Sequence, residues 1–266
     1  MAALCRQAIP DCHIRIIKND ELTIDQLRPH LKCFSAVVVG PGPGSPDNPA
    51  DIGVVRDLWH LNGEDIVPIF GVCLGLQSLA IEFGGELKRL HTVKHGLVSR
   101  VHHTDGDIFE GVGQVHAVRY HSLHVTLLPG GDIEELGWAD DEENGRVVMA
   151  AKHSSKPFWA VQYHPESVCT NGGGWEVLNN FWSLASRWSQ LQNRQVASNI
   201  TIDLGVAWPH LPNHPQSPAS SEAPSNAVLS ALLHLPQLTS SKVAEHFGAA
   251  DESNNFVLLD SAAKPG

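Results

Sequence analysis

Two short stretches of this sequence carry the side chains of nucleophilic catalysis. Gly71-Val72-Cys73-Leu74-Gly75 sets a thiol between two glycines, and Gln162-Tyr163-His164-Pro165-Glu166 sets an imidazole beside a carboxylate. A thiolate can attack an acyl carbon. An imidazole can take the thiol proton and return it to a leaving group, and a carboxylate can hold that imidazole in the required orientation. The chemistry the three groups would share is acyl transfer.

Positioning these groups falls to the elements around them. The apolar residues 66–70 predict a buried strand and residues 74–83 a helix, so Cys73 lies where strand hands over to helix. Gly71 and Gly75 clear side chains from so sharp a turn, the arrangement of a nucleophile elbow. The first N–H groups of the helix favour the thiolate, which is the reactive form. Residues 158–163 predict a strand, from whose end His164 and Glu166 project at alternate positions and therefore to one side. Each part also has a duller reading. A buried cysteine is usually an inert small hydrophobe, glycines can serve helix–strand packing alone, and a strand-end histidine can make a local hydrogen bond. Their coincidence favours catalysis.

Two further stretches join these. Residues 35–40 read as a strand leading into Pro41-Gly42-Pro43-Gly44-Ser45-Pro46, and Arg119-Tyr120-His121-Ser122-Leu123 lies between the thiol and the imidazole. Taken in order, the four motifs resemble those of the class I (triad-type) glutamine amidotransferases over about residues 1–190. Within that family the chain is most similar to the glutaminase components of aminodeoxychorismate (para-aminobenzoate) synthase and anthranilate synthase. The resemblance implies that Cys73 attacks the carboxamide of L-glutamine to form a γ-glutamyl thioester, with His164 as proton carrier and Glu166 as its orienter. It implies an oxyanion hole from the backbone N–H groups of Gly44 and Leu74. It also implies a glutamine site formed by Gly42, Pro43, Gly44, Gln77, Ser122 and Leu123. Gln77 follows Cys73 by one helical turn, so the two can share a face.

Composition sets limits. A chain of 266 residues has room for one sizeable α/β domain and additional chain. A net charge of −11 argues against nucleic acid or an anionic membrane as partner. No stretch is apolar enough to span a bilayer and no basic start precedes an apolar core, so a soluble, cytoplasmic protein is expected. The five cysteines (Cys5, Cys12, Cys33, Cys73, Cys169) are scattered without a CxxC pair, which suggests reduced thiols. The sixteen histidines raise the question of a metal, above all at His91, His95, His102, His103, His121 and His124, but they lack the tight spacing of zinc ligands. No metal or cofactor is expected in this domain. The resemblance implies Mg2+ only in a chorismate-binding synthase component.

The apolar pattern alternates between strand and helix. Strands are predicted at 14–17 and 37–40 and helices at 20–31 and 52–61, ahead of the nucleophile unit. Short strands follow at 86–90, 97–101, 115–120, 135–139, 147–151 and 158–163. A final helix over 175–191 offers Trp175, Leu178, Phe181, Trp182, Ala185 and Trp188 as a core stripe. The expected fold is α/β: a mostly parallel open sheet, flavodoxin-like, with helices on both faces and a small antiparallel strand region.

Both ends depart from the family pattern. Met1-Ala2-Ala3-Leu4-Cys5 resembles the middle of the family's first helix, so an amidotransferase domain over 1–191 is expected without its opening strand. Pro209, Pro212, Pro215, Pro218 and Pro224 mark a Pro/Ser-rich linker over 192–238. Residues 239–266, with Phe256-Val257-Leu258-Leu259-Asp260-Ser261, resemble the start of a truncated chorismate-binding synthase component, as in a bifunctional fusion. The leading functional reading is therefore the glutaminase domain of para-aminobenzoate synthase, which supplies ammonia to chorismate for folate biosynthesis through a fused synthase partner. The same chemistry serving anthranilate synthase, an inactive partner-binding fragment and a γ-glutamyl peptide hydrolase are the alternatives.

Overall fold

The computed structural model describes residues 1–9 and 12–197. The expected synthase fragment and all but the first few residues of the expected linker lie outside the described residues. In chain order the elements are α1 (Ala2–Ala8), α2 (Ile24–Leu27), β1 (Val37–Val39), α3 (Pro49–Ile52), α4 (Val55–Trp59), β2 (Ile69–Val72) and α5 (Leu74–Glu82). They continue with β3 (Glu86–His103), β4 (Val115–Thr126), β5 (Ile133–Asp141), β6 (Gly145–His153), β7 (Phe158–Val161) and α6 (Trp175–Leu191).

One sheet of seven strands runs in the order β1-β2-β7-β6-β5-β3-β4. Parallel pairing joins β1 to β2 and β2 to β7, and every other pair is antiparallel. The α/β fold is as expected, but the sheet is mixed and not mostly parallel: the turns of three and four residues that link β5 to β6 and β6 to β7 are too short for a crossover and force antiparallel neighbours. All four residues of β2 are buried, as a parallel strand covered on both faces must be. Their side chains alternate between two cores. Phe70 and Val72 pack with Leu178, Phe181 and Ala185 of α6 and with Leu4 of α1. Ile69 packs instead with Leu58 and Trp59 of α4 and Leu76 and Leu79 of α5. Helices thus cover both faces of the parallel part. Among the described residues, no helix is long and apolar enough to cross a membrane.

The final helix matches its expected bounds, but its buried row is Val177, Leu178, Phe181 and Ala185, while Trp175 is exposed. Other elements differ from the sequence pattern. Residues 14–17 form no strand and belong to none of the ladders among the described residues. The helix expected over 20–31 is reduced to α2, held by a Thr23–Gln26 capping box, followed by a 3-10 turn over Arg28–Cys33 with Pro29 in its first turn. The helix expected over 52–61 is broken into α3 and α4 at Gly53, whose φ of +53° ends α3. The two strands expected at 86–90 and 97–101 are one long β3, interrupted by register shifts between Arg89 and Lys94 and between His95 and Leu97.

The turn from β2 into α5 is where packing is tightest. A Cβ placed on Gly71 would stand 2.9 Å from the Gly75 carbonyl carbon and 3.1 Å from the Ala160 Cβ. One on Gly75 would stand 3.1 Å from the Val39 carbonyl oxygen. The absent side chains let α5 start directly against β1 and β7. Gly71→Ala must therefore push backbone against backbone, and it is expected to destabilise the domain by about 2 kcal/mol. A urea midpoint equal to wild type would show that the turn has room to spare.

Candidate active site

Cys73 occupies the first position after β2 with φ 55° and ψ −99°, a conformation that L-residues rarely adopt. Its N–H donates to the Val161 carbonyl at 2.8 Å, tying the turn to the end of β7. Its side chain is buried. Leu74 is the first residue of α5, so its N–H has no partner within the helix and remains available to an anion.

The chain leaves β7 after Val161, two residues short of the end expected for that strand, so His164 sits on the loop beyond it and not directly at the strand's end. What fixes His164 is its backbone: its N–H donates to the Val118 carbonyl at 3.0 Å, and its carbonyl accepts from Thr170 Oγ1 at 2.7 Å. Nδ1 lies 2.8 Å from Glu166 Oε1, and the Tyr120 ring meets the imidazole edge-on with centroids 5.3 Å apart. Nε2 is buried and, among the described residues, meets no nitrogen or oxygen acceptor, so the Cys73 sulfur is its remaining neighbour.

Electrostatics separate the two partners. Burial pulls the His164 pKa down, but the Cys73 sulfur and the Glu166 carboxylate outweigh it, and the value rises to about 9. Burial pushes Glu166 up, and its hydrogen bond with His164 more than reverses this, leaving the carboxyl below its ordinary range. At neutral pH the arrangement holds a protonated imidazole between a sulfur and a carboxylate. Such a group can hand a proton to a departing amine.

The remaining expected residues gather around the same turn. The Gly42-Pro43-Gly44 loop leaves the end of β1 and passes over the start of α5, where a Cβ on Gly42 would stand 3.0 Å from Leu74 Cδ2. The loop is anchored by the Ser45 N–H, which donates to Asp51 Oδ2 at 2.9 Å. Gly44, Ser45, Ser122 and Leu123 line a cleft of about 470 Å³ together with Lys88 and Arg89. Gln77 is buried, and its amide nitrogen donates to the Leu123 carbonyl at 3.0 Å and to Gln162 Oε1 at 3.1 Å. Its own carbonyl oxygen is the group left to meet a ligand.

Sequence reasoning assigned no role to Gln162, although it touches the thiol: its amide nitrogen lies 3.5 Å from Cys73 Sγ. The available signal was a lone amide at the end of the apolar run Phe158 to Val161. Pro43 is exposed in its loop, so its place in the site rests on its two glycine neighbours.

The profile of the family described as "Glutamine amidotransferase class-I" matches residues 3–184. The chain belongs to that family. It is 40% identical over 188 residues to an aminodeoxychorismate synthase of Saccharomyces cerevisiae, a match covering 65% of this chain and 23% of that protein. It is 39% identical over 152 residues to an anthranilate synthase component 2 of Halobacterium salinarum, covering 57% and 74% respectively. A Schizosaccharomyces pombe protein provisionally named aminodeoxychorismate synthase is 32% identical over 268 residues, covering 99% of this chain and 35% of that protein. The chain thus spans about a quarter to a third of the two yeast proteins. Among solved structures, a Thermoplasma acidophilum protein provisionally described as one component of GMP synthase superposes with a TM-score of 0.58 at 22% identity. That superposition covers 72% of this chain and 89% of the other, and it shows the fold. This amidotransferase is therefore a member of the group that includes the glutaminase parts of aminodeoxychorismate and anthranilate synthases.

Because the Glu166 carboxylate favours the charged imidazole, Glu166→Gln is expected to lower the His164 pKa from about 9 by at least about one unit. Titration of the His164 ring followed by NMR checks this. An unmoved midpoint would mean that Glu166 contributes nothing to the proton affinity of the site.

Proposed function

We propose that this domain hydrolyses L-glutamine through Cys73, His164 and Glu166 and passes the ammonia to a chorismate-binding synthase component for 4-amino-4-deoxychorismate. The observation that carries the reading is the convergence of the Cys73 turn with the charged His164–Glu166 pair at 2.8 Å.

The Cys73 sulfur attacks the carboxamide carbon, and the resulting oxyanion meets the N–H groups of Leu74 and Gly44. His164 gives its proton to the departing nitrogen, the C–N bond breaks, and ammonia leaves behind a γ-glutamyl thioester. Water then adds to the thioester carbon and loses a proton to His164. Collapse of that second adduct releases glutamate and frees the sulfur. Gly42, Pro43, Gly44, Gln77, Ser122 and Leu123 bind the substrate, with the carbonyl oxygen of Gln77 accepting from it. Ammonia released into neutral water is protonated and ceases to be a nucleophile, so the domain must work docked on its synthase.

The choice of product is supported by the alignment to the Schizosaccharomyces protein, which covers 99% of this chain and so extends well past the amidotransferase domain. The second reading, ammonia for anthranilate, is supported by the 39% identity to the Halobacterium component. The synthase partner selects between them.

Cys73→Ser in the full-length enzyme is expected to reduce glutamine-dependent synthesis by at least about a thousandfold while leaving ammonia-dependent synthesis intact, since the synthase needs only NH3. Product analysis with chorismate in the same assay separates aminodeoxychorismate from anthranilate. Parallel loss of both activities would make Cys73 a structural residue and end this assignment.

A further inference from the structure

Six polar side chains are buried in the described residues: Gln77, Ser78, Arg119, His121, His153 and Gln162. Four of them lie on one hydrogen-bonded path that ends at the thiol. It starts at the end of β5, where the Asp141 carboxylate grips the Arg119 guanidinium twice, at 2.7 and 3.0 Å. Asn144 steadies that carboxylate at 2.9 Å. Arg119 is fully buried, and its Nε donates to His121 Nε2 at 3.0 Å. A guanidinium only donates, so His121 Nε2 carries no proton. The ring proton is therefore on Nδ1, which donates to the Leu123 carbonyl at 2.8 Å. That carbonyl also accepts from Gln77, Gln77 donates to Gln162, and Gln162 donates to Cys73 Sγ. Every donor in the series meets an acceptor.

The backbone needs this help at one place. β4 is the last strand of the sheet, and its ladder with β3 is interrupted just here. Leu123 faces Arg89 and His121 faces Lys94, so residues 90–93 of β3 bulge opposite Ser122. A strand that lies at the edge and opposite a bulge has few backbone bonds to fix its peptide planes.

We propose that His121, locked by Arg119 as the neutral Nδ1–H tautomer, is a positioning residue that sets the Leu123 carbonyl and thereby the Gln77–Gln162 wall beside Cys73. It rests on the glutaminase reading for its kinetic consequence but not for its geometry. Burial, with the Arg119 charge next, drives the His121 pKa down to about 3, so the ring stays neutral across the working range.

Two measurements test it. In the wild-type chain, 15N NMR of the imidazole at pH 7 is expected to show His121 protonated on Nδ1 alone. A proton on Nε2, or on both nitrogens, would overturn the proposal. Kinetically, His121→Gln can still accept from Arg119 but cannot reach Leu123 with a donor. It is expected to raise the KM for glutamine about tenfold with kcat within about twofold. His121→Asn keeps an N–H where Nδ1 stood and is expected to hold KM within about threefold. Equal effects of the two variants, or a fall in kcat at unchanged KM, would count against a positioning role. Thermal melts identify a variant that fails to fold, in which case the tautomer decides. A wild-type chain without Cys73-dependent glutamine hydrolysis would instead sink the glutaminase reading, and the tautomer would still decide the relay.

Discussion

The left-handed backbone of Cys73 is the constraint on which the rest of this molecule is arranged. Holding a non-glycine residue at φ 55° costs on the order of 1–3 kcal/mol, and the surrounding structure must over-determine it. It does so from three sides. β7 supplies an acceptor for the Cys73 N–H, α5 begins in direct contact with β1 because Gly75 has no side chain, and Gly71 lets the strand pass beneath. This requires β2 to lie between β1 and β7 in parallel, which buries all four of its residues and divides the core in two. The two apolar clusters, the helices on each face and the sheet order can be read as the scaffold of one strained turn.

Polar groups impose a second requirement. Taking a guanidinium fully out of water costs several kcal/mol unless its donors are matched. Arg119 meets Asp141 with two nitrogens, Ser99 with one of these, and His121 with its Nε. The desolvation of one side chain is thus offset by acceptors from β3, β4 and β5. Those strands belong to the antiparallel half of the sheet and follow Cys73 in the chain. The hydrogen-bonded path through Gln77 and Gln162 is what joins that half to the thiol, so the two regions share more than a sheet.

Legibility in the sequence followed the range of the interactions involved. Local signals were readable: the strand–Cys–helix turn, the final helix over 175–191, and the His164–Glu166 spacing that becomes a 2.8 Å contact. Elements that depend on distant partners were not. Residues 14–17 have strand composition but join no ladder among the described residues, and the long β3 reads as two strands because its bulges are set by β4. Gly53 could have announced the break between α3 and α4, since a glycine within a helical pattern is a weak point. Arg119 and His121 were visible as a motif, and Val115, Ala117, Arg119 and His121 alternate along one buried row of β4. A charged residue in such a row demands a buried counter-charge. The partner, Asp141, could be named only once the fold brought the end of β5 to the middle of β4.

The two histidines at this centre show how environment assigns proton inventory. Burial lowers the pKa of both, yet one ends near 9 and the other near 3. At His164 a sulfur and a carboxylate outweigh burial, whereas at His121 burial is the largest cause and the Arg119 guanidinium adds to it. As built, His164 is charged at neutral pH and has a proton to give, while His121 serves as a fixed donor whose direction never changes. Two rings at one centre thus hold different charges at neutral pH, and only His164 carries a proton that the pH can remove near neutrality.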